Sequence, residues 1–97
     1  MDFFLCNLEE TLKAINKLID NKINIVNTKR IRRCNNIKSS DRSKINFIWR
    51  SLKYLTESNL GVLERDGVNG IANYKITVKE KINIPEILSK IEKERIN

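Results

Sequence analysis

Residues 39–57 read SSDRSKINFIWRSLKYLTE, and the way this run folds decides how the rest of the chain is understood. It opens with Ser40 and Asp41, two residue types whose side chains accept hydrogen bonds from the free N–H groups of a helix start, and it contains no Gly or Pro. Ile45, Ile48, Trp49, Leu52 and Leu55 recur at the spacing of one helix face. That face is expected to be buried, with Trp49 in or at the edge of the core. The opposite face then carries Ser43, Asn46, Phe47, Arg50 and Tyr54, with Arg42 at its edge. A helix that is merely solvated more often shows Glu and Lys there. Cations, an amide, hydroxyls and an aromatic ring make a face suited to reading a partner.

The charge around this helix is strongly localised. The 97 residues carry 19 Lys and Arg against 12 Asp and Glu, a net charge of +7. Residues 28–53 hold nine of those cations (Lys29, Arg30, Arg32, Arg33, Lys38, Arg42, Lys44, Arg50 and Lys53) and one acid, Asp41, a local net of +8. The remainder, ten cations against eleven acids, is close to neutral at −1. A surface kept basic only for solubility would spread its charge, whereas a block of this kind suits a polyanion.

Outward from the block, residues 7–20 read as a first helix with Leu8, Leu12, Ile15, Leu18 and Ile19 on its apolar stripe and Leu5 just ahead of it. Asn7 with Glu10 three residues on suggests a capping box. Ile23, Ile25 and Val26 form a short extended piece. Asn27 or Thr28 then caps a second helix from Lys29 to about Asn35, with Ile31, Cys34 and Ile37 turned inward. The turn 35–40 holds Ile37 as an apolar plug. After Ser58-Asn59-Leu60-Gly61, where Asn59 or Gly61 takes a left-handed conformation, residues 62–65 and 71–78 read as two strands of a hairpin. Tyr74, Ile76 and Val78 alternate with Asn73, Lys75 and Thr77. Ile84-Pro85 opens a last helix with the stripe Ile84, Ile87, Leu88 and Ile91.

The order helix, short strand, helix, turn, helix, hairpin resembles the winged helix-turn-helix domain over roughly residues 8–78. The stretch TKRIRRCNNIKSSDRSKINFIWRSLKYLTESNLGVLERDG carries most of the likeness, and its part LKYLTESNLGVLERDG is similar to the end of the recognition helix and first wing strand of small archaeal regulators. The resemblance implies a mainly helical α+β fold, a three-helix core plus a β-hairpin wing with an added C-terminal helix, as one domain over 1–97. In that family the Leu52 and Leu55 pair docks the recognition helix, and Val62 and Leu63 begin the wing. The turn 35–40 departs from the pattern in being longer and more polar than a tight three-residue turn.

The same resemblance implies a partner, double-stranded DNA, with helix 41–57 in the major groove as a sequence-specific transcriptional regulator. Arg42, Ser43, Asn46 and Arg50 would reach base edges, and Phe47 would lie against a thymine methyl or else pack against the second helix or the wing. Lys29, Arg30, Arg32, Arg33, Lys38, Ser40, Lys44 and Lys53 would contact phosphates. Arg65, Asn69 and Lys75 would bring the wing to a flanking backbone or minor groove. The C-terminal helix either packs on the first helix of its own chain or pairs with it across a homodimer. A winged-helix module binding an acidic protein through Phe47 and Tyr54, a non-specific architectural DNA binder and an RNA binder are the rival readings. Duplex DNA is favoured because a long helix with short polar residues fits a major groove that A-form RNA closes to side chains.

Other classes find little support. With no His in the chain, no Ser or Cys stands beside a fitting base, and there is no Gly-rich phosphate loop, so no enzyme, cofactor or metal is expected. Cys6 and Cys34 are 28 positions apart and form no metal-binding spacing. They read as buried thiols in a reducing cytoplasm. The start MDFFLCNLEE lacks the pattern of a signal peptide, and no apolar run reaches the length of a membrane span. A cytoplasmic, nucleoid-associated protein is therefore expected. Richness in Asn, Ile and Lys suits an A/T-rich genome, archaeal or extrachromosomal.

Overall fold

The computed structural model describes residues 3–58, 60–67 and 73–96. Within them the order is α1 (Phe3–Asp20), β1 (Ile25–Val26), α2 (Thr28–Cys34), α3 (Arg42–Glu57), β2 (Leu63–Arg65), β3 (Tyr74–Ile76) and α4 (Ile84–Ile96). The fold is α+β and mainly helical. No helix among the described residues is long and apolar enough to cross a membrane.

Helix α1 begins one turn earlier than the capping-box reading places it. Asn7 lies inside the helix, and its side-chain amide donates to the carbonyl of Phe3 at 2.8 Å, one turn back. The apolar run Phe3–Cys6 extends the helix because Leu5 adds a further buried position to the stripe of Leu8, Leu12, Ile15 and Leu18. Tertiary burial thus outweighs the local cap. Cys6 falls on the outward side and is exposed, and Cys34 is half-buried, so the expectation of two buried thiols does not hold. Ile23 N–H donates to Leu18 O at 2.9 Å and Lys22 N–H to Ile19 O at 3.0 Å, with Lys22 at φ 59°. This paired closure satisfies the last carbonyls of α1 and turns the chain sharply into β1.

The same closure recurs after α2. Asn36 sits at φ 54°, and the N–H groups of Asn36 and Ile37 donate to Arg33 O and Arg32 O at 3.3 and 3.0 Å. Ile37 packs against the core just beyond this turn, which is the plug expected from the sequence. Asn27 caps α2, its side chain accepting from the N–H of Arg30 at 2.8 Å. Its amide also donates to the Asn73 side chain at 3.0 Å, tying the start of α2 to the residue before β3. Asp41 caps α3 by accepting from the N–H of Lys44.

The sheet has the order β1-β3-β2, antiparallel throughout. Val26 faces Tyr74, Leu63 faces Ile76, and Glu64 faces Lys75. Val26, Leu63, Tyr74 and Ile76 are buried while Glu64 and Lys75 are exposed, so one face of the sheet closes the core and the other meets water. Gly61, not a side-chain-bearing residue, supplies the positive φ of 74° ahead of β2. Asn59, the other candidate for that position, lies outside the described residues.

One core joins these elements, with Leu8, Leu12 and Ile15 of α1, Ile31 of α2, Leu52 and Leu55 of α3 and Ile91 of α4 all fully buried. Helix α4 therefore packs on its own chain and contacts α1. Of its stripe, Ile91 is fully buried and Ile84, Ile87 and Leu88 pack half-buried against the core.

Candidate nucleic-acid interface

Helix α3 presents its surface differently from the sequence reading. Ile48, Ser51, Leu52 and Leu55 form its buried side. Ile45 is half-buried, and Trp49 is 49% exposed. The helix is rotated by roughly half a residue step, about 40–50° at 3.6 residues per turn. The cause lies in the first turn of α1. The ring of Phe3 meets Phe47 edge-on with centroids 4.8 Å apart, and Phe4 meets Tyr54 edge-on at 5.2 Å. Arg95 of α4 lies 4.8 Å over the Phe4 ring. Two aromatic pairs, each favourable beyond its area burial, draw Phe47 and Tyr54 inward and turn Trp49 out.

The outward face of α3 now holds Arg42, Asn46, Trp49, Arg50 and Lys53, with Ser43 in line with Arg50 two turns earlier. Four of the five residues expected to read bases, Arg42, Ser43, Asn46 and Arg50, are exposed there. Phe47, the fifth, is not available as expected: it is half-buried against α1, a partner that neither the second helix nor the wing supplies. Trp49 is the residue the sequence reading missed. Its ring carries the Lys53 ammonium 5.3 Å from its centroid. The partial signal was Phe3-Phe4, two adjacent aromatic residues at the head of α1, whose partners Phe47 and Tyr54 lie seven residues, about two turns, apart on α3.

The expected phosphate contacts divide. Lys29, Arg33, Lys38, Ser40, Lys44 and Lys53 are exposed. Arg30 is exposed too, but its guanidinium donates to the carbonyl of Ile25 and fastens α2 to β1. Arg32 is half-buried and donates to Ile37 O at 3.1 Å, holding the turn after α2. Arg32 therefore serves the fold rather than standing free for a phosphate. The reason is local: the carbonyls of Ile25 and Ile37, in the segments on either side of α2, each lie five residues from a long cationic side chain that reaches them.

Among the described residues the salt bridges are Glu9–Lys13, Asp20–Lys81 and Glu86–Lys90, all outside residues 28–53. Asp41, the one acid of the block, has its carboxylate engaged at the α3 N-terminus. Among the described residues, the cations of the block take part in no salt bridge, and all but Arg32 are exposed. The wing is weaker in charge. Arg65 is exposed on β2, Lys75 is exposed but directly opposite Glu64, and Asn69 lies outside the described residues.

Compared with known proteins, the chain matches no family model, no curated protein and no solved structure.

Proposed function

We propose that this chain is a winged helix-turn-helix protein that binds double-stranded DNA and regulates transcription at preferred sites. The observation that carries the reading is the block 28–53, a local net charge of +8 on α2, α3 and their connection with no salt bridge among the described residues. The element order and the β2–β3 hairpin joined to β1 support the winged-helix part. In this arrangement α3 enters the major groove. Arg42, Ser43, Asn46 and Arg50 read base edges, while Lys29, Arg33, Lys38, Ser40 and Lys44 fix the register on the phosphates. The protein-binding alternative loses its two anchors, because Phe47 and Tyr54 are occupied by Phe3 and Phe4.

The test is binding to a random duplex DNA across a salt series, with duplex RNA of the same length alongside. Affinity should fall with salt with a slope of about −0.9 per phosphate contacted, and DNA should be preferred. No binding at low salt, or equal binding to both duplexes, overturns the reading.

A further inference from the structure

The proposed DNA reading leaves one feature of the α3 surface unexplained. Trp49, the single tryptophan of the chain, stands 49% exposed on the same face as Arg42, Asn46, Arg50 and Lys53. The indole brings one N–H donor and no charge to this cationic face, and most of its surface is apolar. The Lys53 ammonium lies 5.3 Å from the ring centroid, a surface contact beside an indole that stays open to a partner. Trp49 lies one turn beyond Asn46 and two turns beyond Arg42, within the first half of α3.

We infer, resting on the duplex-DNA reading, that Trp49 is a specificity-determining residue that selects thymine by packing its indole against the C5-methyl group in the major groove. The major-groove edge of a base pair presents hydrogen-bond donors and acceptors and one apolar group, the thymine methyl. Arg42, Asn46 and Arg50 match the polar positions, and an exposed indole matches the apolar one. Phe47, the aromatic residue that sequence alone would place there, is held by Phe3. The preferred sites of the protein therefore contain thymine beneath the second turn of α3.

The experiment compares end-labelled duplexes of alternating dA and dT with the same duplexes carrying deoxyuridine, which lacks only the methyl group, in place of thymidine. Fluorescence anisotropy of the label reports binding, and the emission of Trp49 reports the ring directly. The wild-type protein should bind the deoxyuridine duplex about threefold to fivefold more weakly, the worth of burying one methyl group. Trp49 emission should change on binding the thymidine duplex. In the Trp49→Ala variant, which removes a half-exposed ring, the difference between the two duplexes should vanish. Equal wild-type affinity for both duplexes overturns the thymine assignment, as does an unchanged Trp49 emission when the label shows binding. Absence of any binding to either duplex at low salt overturns the DNA reading itself, a result the label distinguishes from the other two.

Discussion

The side chain of Asn16 brackets the backbone of Ile82, accepting from its N–H at 2.7 Å and donating to its carbonyl at 3.1 Å. One amide in the middle of α1 thus mimics a strand partner for the segment leading into α4. Ile82 itself is buried, so this pair fixes where the C-terminal helix begins its path across α1. Asn16→Ala leaves both backbone groups of Ile82 without that partner and should cost about 1–3 kcal/mol. At this chain length each kcal/mol lowers Tm by about 4–8 °C, measurable by thermal unfolding. An unchanged Tm would show that the bracket contributes nothing net.

Phe47 should behave as a residue of the fold. Phe47→Ala is expected to lower stability, the ring pair with Phe3 alone being worth about 0.5–1.5 kcal/mol beyond the lost burial. The discrimination between thymidine and deoxyuridine duplexes should persist in the folded variant. Loss of that discrimination with full stability would return Phe47 to the reading face.

Arg32 and Arg33 are adjacent in sequence and opposite in use. Arg32→Ala removes the donor to Ile37 O and should destabilise by about 1 kcal/mol in denaturant unfolding. Arg33→Ala touches an exposed side chain and should leave stability unchanged. It should weaken binding to every DNA sequence alike and reduce the salt slope by about one. The reverse outcome for the pair would mean that their roles are exchanged.

Arg50 tests whether α3 reads sequence. Arg50→Ala should weaken a preferred site by about 1–3 kcal/mol, the worth of a good bidentate base contact, and random duplex far less. Competition binding between selected and random duplexes measures the difference. Equal loss on both would make Arg50 a phosphate contact.

Tyr54 supplies a pH dependence. Its phenol is held above the usual tyrosine value, first by burial and then by the nearby Glu94, with Arg95 opposing. A raised folded value means that above about pH 10 the unfolded chain loses this proton before the folded one. The stabilisation is complete below the unfolded value and is lost as pH rises through the folded one. Unfolding midpoints of the wild type should therefore fall more between pH 9 and 11 than those of Tyr54→Phe. Parallel curves would show that Tyr54 does not contribute.

Much of the fold was legible in the chain because it is written in local chemistry. The apolar spacing of α1, the plug at Ile37, the alternation through Tyr74 and Ile76, and the caps to within one residue (Asn27 rather than Thr28, Asp41 rather than Ser40) each follow from residues near one another in sequence. The charge block 28–53 was equally plain, since charge is a sum over residues and needs no geometry. The orientation of α3 about its own axis was not. Periodicity gives the width of an apolar stripe but not its centre, and both Trp49 and Phe47 lie close enough to that stripe to be buried or exposed. Phe3 and Phe4, more than forty residues away, settle the choice by pairing with Phe47 and Tyr54. The fate of Arg32 was hidden for a different, local reason: a cation in a basic run looks like its neighbours until the turn after α2 brings the Ile37 carbonyl, five residues on, within reach. Sequence determined which elements form and where the charge lies. Tertiary structure alone decided which aromatic ring of α3 is exposed, because that depends on contacts between segments distant in the chain.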